Sequence, residues 1–138
     1  MSRRKGRIVA FQGLYSWEAG AMSKEDILKL NWLTNDEGKE EKFSEEDAAF
    51  TRMLISGSIE NIEKIDEAIK AHLTNWDFDR VNRVSIAILR MSVYSLLFTR
   101  DVEPKIVIDE AVDIAKNFGP DDSYKFVNAI LDNIRKSL

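Results

Sequence analysis

The chain has no cysteine, a single histidine and only two prolines in 138 residues, and no apolar run long enough to cross a bilayer. Without cysteine there are no disulfides, and with His72 as the lone imidazole a zinc site has too few ligands. The first apolar residues alternate with polar ones and no small-residue cleavage site follows them. That pattern leads us to expect no signal peptide and a cytoplasmic location. Also missing are a phosphate-cradling glycine loop, a dinucleotide-binding glycine pattern and an elbow serine. Paired acids such as Glu40–Glu41 and Glu45–Glu46 sit in polar stretches and read as solvated faces. The expectation is a non-enzyme with no cofactor and no metal.

What is present is an ordinary globular composition, 44% hydrophobic and 32% charged. The length suits one domain with a real core, or two small helical halves sharing one. The net charge of −4 is unevenly spread: residues 1–17 carry +4 from Arg3, Arg4, Lys5 and Arg7, and the remainder carries −8. A basic tip on an acidic body concentrates a polyanion at one place and repels it elsewhere.

Residues 83–98, RVSIAILRMSVYSLLF, are apolar around nearly the whole circumference of a helix, which marks a helix buried by its neighbours. Ser85, Ser92, Ser95 and Thr99 form one narrow polar stripe on it. Arg90 is the exception, sharing a side with Arg83, Ala87, Tyr94 and Leu97. It is either a structural arginine extended along its apolar stem or one held at a surface where a partner docks.

The remaining segments read as amphipathic helices that cover this one. The spacing predicts a helix over 3–19, ended by Gly20. A short helix opened by Ser23 and Asp26 runs through Ile27, Leu28, Leu30 and Leu33. Thr34 to Lys42 reads as a solvated loop. Ser44 and Asp47 open a run over 45–73, in which Gly57 and Ser58 mark a break or a close crossing. Thr74 to Asp79 is a connection. Pro104 suits the first turn of a helix over 105–118, which Gly119 and Pro120 stop in C-cap order. Asp121, Asp122 or Ser123 caps the last helix, with its stripe of Phe126, Val127, Ile130, Leu131 and Ile134. No alternating strand pattern occurs. The chain reads as all-α, with about seven helices in two small packed bundles, 1–75 and 76–138.

Two polar clusters carry the functional reading. Cations at a helix N-terminus oppose its dipole, so the N-terminal arginines form either a solvated tail or a phosphate site shared with free backbone N–H groups. Gln12 and a nearby aromatic would add hydrogen bonds and stacking for unpaired bases. The second cluster, Lys116, Phe118, Gly119, Asp122, Ser123, Lys125, Phe126 and Asn128, surrounds one helix–turn–helix corner. Its phenylalanines serve either the core or base stacking, and its lysines are either solvated or bound.

The arginine-rich start followed by AFQGLYSW at 10–17, AILR at 87–90 with Val93 and Tyr94, Pro104, IDEAVDIAK at 108–116 and KFVNAILD at 125–132 resembles, in order and spacing, the NusB family of bacterial transcription antitermination factors. The resemblance implies an all-α fold of two helical bundles and binding of the single-stranded boxA RNA element in nascent ribosomal RNA leaders. It implies a partner, NusE, which is the same polypeptide as a small-subunit ribosomal protein. RNA polymerase and other Nus factors are engaged indirectly, and the free protein is a monomer or a homodimer. Position by position, it implies RNA contacts from Arg3, Arg4, Lys5, Arg7 and Gln12, and from Lys116, Phe118, Asp122, Ser123, Lys125, Phe126 and Asn128. It implies partner contacts from Tyr15, Arg83, Arg90 and Tyr94. Ser85 and Ser95 stand where the family usually has acids, which weakens complementarity to a basic partner, and Ala129 replaces a glycine. The competing reading is a helical interaction or oligomerisation module that binds no RNA.

Overall fold

The computed structural model describes residues 3–32, 43–74, 77–99 and 101–138. Leu33, the loop read over 34–42 and Trp76 lie outside the described residues. Among those residues the chain forms seven α-helices and no strand: α1 (Arg3–Glu18), α2 (Lys24–Leu28), α3 (Glu45–Glu60), α4 (Ile62–Ala71), α5 (Arg83–Phe98), α6 (Pro104–Phe118) and α7 (Ser123–Lys136). A single 3-10 turn, Phe78–Arg80, precedes α5.

The apolar circumference of α5 has the predicted consequence: α1, α3, α4, α6 and α7 all pack on it. Ser92, Ser95 and Thr99 are satisfied along the helix itself. Ser92 Oγ donates to the Ile88 carbonyl at 2.8 Å and Thr99 Oγ1 to that of Ser95 at 2.8 Å, the local back-bonding open to short hydroxyl side chains. Leu14, Ile27, Leu54, Ile65, Ile88, Ile114 and Leu131 bring all seven helices into one continuous core. Each such side chain stabilises the fold by roughly 1.5–3 kcal/mol through burial. Helix α4 belongs to the first half by sequence yet packs on α5 and α7.

Helix ends follow the local chemistry. Ser23 and Ser44 accept from the backbone N–H of Asp26 and Asp47, each at 3.2 Å; such a cap contributes about 1 kcal/mol. Helix α1 closes at Gly20, whose φ of +75° lets Ala21 N–H reach the Ser16 carbonyl at 3.0 Å, the Schellman arrangement. Helix α2 is shorter than its apolar spacing predicts. Its last carbonyls are taken by side chains, Ile27 by the Trp32 indole at 2.9 Å and Leu28 by Arg52 at 2.7 Å, and Leu30 turns out of the helix at φ +56°.

The run over 45–73 breaks at Asn61, between α3 and α4, and not at Gly57 or Ser58. Gly57 instead marks a close crossing: a Cβ there would run into the ring of Tyr94 on α5. Gly119 is also a matter of space. Its φ of −87° and ψ of 168° are extended, as expected of a residue before proline, and not the left-handed C-cap that the sequence suggests. A Cβ at Gly119 would collide with the Ser123 side chain. Asp122 holds the N-cap position of α7 at φ +65° but makes no side-chain cap bond. His72 closes α4, its Nδ1 lying 2.9 Å from the Ala68 carbonyl oxygen.

Candidate functional site

The four N-terminal cations share one helix, and successive positions on a helix point in different directions. Arg3 and Arg7 lie toward α3, where their guanidinium groups stand 4.2 and 5.4 Å from the centre of the Phe50 ring. Arg3 also reaches Glu46 at 3.8 Å. Arg7 is only 7% exposed, and burial pulls its pKa below the ordinary arginine value. Arg4 points at α6 instead. Its Nε donates to Glu110 at 2.8 Å and its Nη2 to Asp113 at 2.9 Å. The hydrogen bond to Glu110 raises the Arg4 pKa above the usual arginine value. Lys5 is half-buried and shares the helix side of Gln12, seven residues and two turns further on.

Gln12 and Tyr15 reach a surface cleft of about 270 Å³ between α1, the start of α5 and the end of α6, lined also by Phe11, Ser16, Val84 and Phe118. Tyr15 is 42% exposed and Phe118 44%. The two phenylalanines meet edge to face at 5.4 Å, which leaves Phe118 seated against the core and partly open to solvent. The two sequence clusters therefore touch at Phe118.

The rest of the second cluster wraps the α6–α7 corner. Lys116 and Lys125 stand on the same aromatic ring, that of Tyr124, at 5.0 and 5.9 Å, and Lys125 also lies 3.6 Å from Asp122. Asp122, Ser123 and Phe126 line a second cleft of about 500 Å³ together with Ser85 and Arg80. The Ser123 hydroxyl is buried without a hydrogen-bond partner among the described residues. Asn128, one helical turn beyond Tyr124 and Lys125 on α7, lines a cleft with Lys105, Asp109 and Asp132.

The charges on α5 face inward. Arg90, 6% exposed, grips Asp66 of α4 side-on, Nε to Oδ1 and Nη2 to Oδ2, both at 2.9 Å. Its Nη1 lies 3.2 Å from Glu18 at the end of α1. Arg83 donates to the same Glu18 carboxylate at 2.9 Å and to the carbonyls of Val81 and Phe78. Tyr94 lies over Gly57 and stacks on Phe98 at 5.6 Å. Of the two roles left open for Arg90, the geometry is that of the structural one. Of the four residues assigned to partner contact, Tyr15 alone is exposed.

Sequence reasoning singled out neither Glu110 and Asp113, which hold Arg4, nor Glu18 and Asp66, which hold Arg90. Phe50 and Tyr124, the rings beneath the cations, were likewise missed as site residues. The spacing of Glu110 and Asp113, one helical turn apart, was the only available signal. Among the described residues no cluster of three or more metal-ligating side chains occurs, and no helix is long and apolar enough to cross a membrane.

Comparison with known proteins places this geometry in context. The transcription antitermination protein NusB of Treponema denticola is 49% identical over 135 residues, spanning 98% of this chain and 96% of that protein. That of Bacillus licheniformis is 38% identical over 138 residues, spanning 100% and 99%. Among solved structures, T. maritima NusB superposes with a TM-score of 0.85 at 35% identity, covering 99% of this chain and 92% of that one. A structure of the antitermination factors NusB and NusE in complex with double-stranded RNA gives a TM-score of 0.78 at 26% identity, with both chains fully covered. The NusB family profile matches residues 4–136, and the chain belongs to the NusB family.

Proposed function

We propose that the protein is an antitermination factor that binds single-stranded boxA-type RNA of nascent ribosomal RNA leaders. It does so together with NusE, and through that pair it acts on RNA polymerase with other Nus factors in the cytoplasm. The observation that carries the reading is the cleft where Gln12 and Tyr15 of α1 meet Phe118 of α6. A half-exposed ring beside an amide side chain is what an unpaired base needs, stacking on its face and hydrogen bonds at its edge. Lys5, Lys116 and Lys125 supply cations for the backbone on either side. Exposed Tyr15 is the residue best placed to meet NusE, while Arg83, Arg90 and Tyr94 support the helix behind it. A NusB relative has been seen in complex with NusE and double-stranded RNA, which supports NusE and RNA as partner classes.

One observation favours the alternative of an interaction module without RNA: Arg4 and Arg7 are already engaged inside the molecule. Titration of a fluorescently labelled boxA-like single strand, with and without the NusE ribosomal protein, separates the two. The proposal expects saturable RNA binding that tightens when NusE is present. Partner binding with no RNA binding under either condition would establish the interaction module instead.

A further inference from the structure

Arg4 sits among the cations assigned to RNA, yet the edge of its guanidinium that would take a phosphate is occupied. Side-on bidentate binding uses Nε and one Nη together, and here these two groups are divided between Glu110 and Asp113. The pairing joins residues more than a hundred positions apart, so it is a product of the fold and not of local helix spacing. Neither partner is sealed away: Arg4 keeps 47% of its side-chain exposure, Asp113 45% and Glu110 22%. A phosphate can reach this place, and must then compete with two carboxylates.

We propose that Glu110 and Asp113 act as internal counter-ions that compete with RNA phosphate for Arg4, setting both the strength and the salt dependence of RNA binding. This rests on the RNA-binding reading given above. The carboxylates stand where a phosphate's anionic oxygens would stand, so the unbound protein holds the arginine extended across α6 and ready to exchange partners. No bond is made or broken beyond the exchange of hydrogen-bonded anions. Exposed ion pairs contribute little to folding, which allows this contact to open without loss of the fold.

The test is a double variant, Glu110→Gln with Asp113→Asn, titrated with a boxA-like single strand and with an oligo-adenylate of equal length over a range of salt. Freeing one arginine for one phosphate should steepen the log–log salt slope by about 0.7 and raise affinity about fivefold at 0.1 M salt. The gain should be equal for both RNAs, because a phosphate contact carries no base information. It should vanish when Arg4→Gln is added to the double variant. Glu63→Gln with Glu67→Gln, exposed acids of α4, makes the same charge change and should leave the slope unaltered. Asp113→Asn alone provides a second variant should the double one fold poorly, with a smaller gain in the same direction.

Weaker binding in the acid-free variants would mean that the carboxylates orient Arg4 for RNA, and would overturn the proposal. An unchanged slope, or a gain confined to the boxA-like strand, would overturn it too. Failure of the wild type to bind either RNA would instead refute the RNA-binding reading itself, so the two failures are distinct.

Discussion

Arg90 concentrates the residue-scale physics of this fold. Its guanidinium is removed from water on the strength of two carboxylates, Asp66 side-on and Glu18 beyond it. The second of these is shared with Arg83, so two arginines and two acids tie the end of α1 and the middle of α4 to α5. Arg90 is the member the group depends on most, because removing it takes from Asp66 the guanidinium that holds both its oxygens. Reversing its charge sets a new carboxylate against Asp66 and Glu18. We predict that Arg90→Glu destabilises the protein by about 3–5 kcal/mol, lowering the melting temperature by roughly 10 °C or more. Thermal unfolding followed by circular dichroism measures this directly. A variant that melts like the wild type but binds NusE more than tenfold less tightly would return Arg90 to the interface.

Among the elements, the α3–α5 crossing is a close one, and Gly57 makes it possible by offering no side chain to Tyr94. Gly57→Ala gains helix propensity, about 1 kcal/mol in an unhindered helix. The added methyl must then displace an aromatic ring held by Phe98, and overpacking of this kind costs about 1–3 kcal/mol. The net expectation is destabilisation, measured as a lower urea midpoint at unchanged slope. A gain in stability would show that Tyr94 moves aside freely.

Most of this element-scale order was legible in the sequence. The bounds of α5, the serine caps of α2 and α3 and the glycine stop after α1 all follow from local spacing and local hydrogen bonds. What was not legible depends on contacts made across the chain. The end of α2 is decided by Trp32 and Arg52, and Gly119 answers crowding by Ser123 and the Ala115 carbonyl oxygen, not a left-handed turn. The candidate site divides in the same way. Its residue types were visible in two separate clusters. That Phe118 joins Gln12 in one cleft, that Arg4 is held by α6 and that Arg90 faces α4 became visible only in three dimensions.

At the scale of the whole molecule, a basic patch stands on an acidic body, and part of that patch is internally neutralised. Arg4 and Arg7 are engaged with neighbouring helices, Lys5 is half-buried, and Arg3, Lys116 and Lys125 are exposed. Three or four phosphates neutralised on a single strand give a log–log salt slope of about −2 to −3. A slope near zero would mean that no phosphate is held, and one steeper than about −6 would imply a far larger footprint. The remaining affinity must come from bases, and Phe118 is where they should stack. The most direct measurement is the affinity of Phe118→Ala for a labelled boxA-like single strand at several salt concentrations, with melting temperature recorded alongside. Losing one stacked base costs about 1–3 kcal/mol, so the account predicts binding weakened roughly 5- to 150-fold with the salt slope unchanged. Wild-type affinity at every salt concentration in a folded Phe118→Ala protein would contradict it.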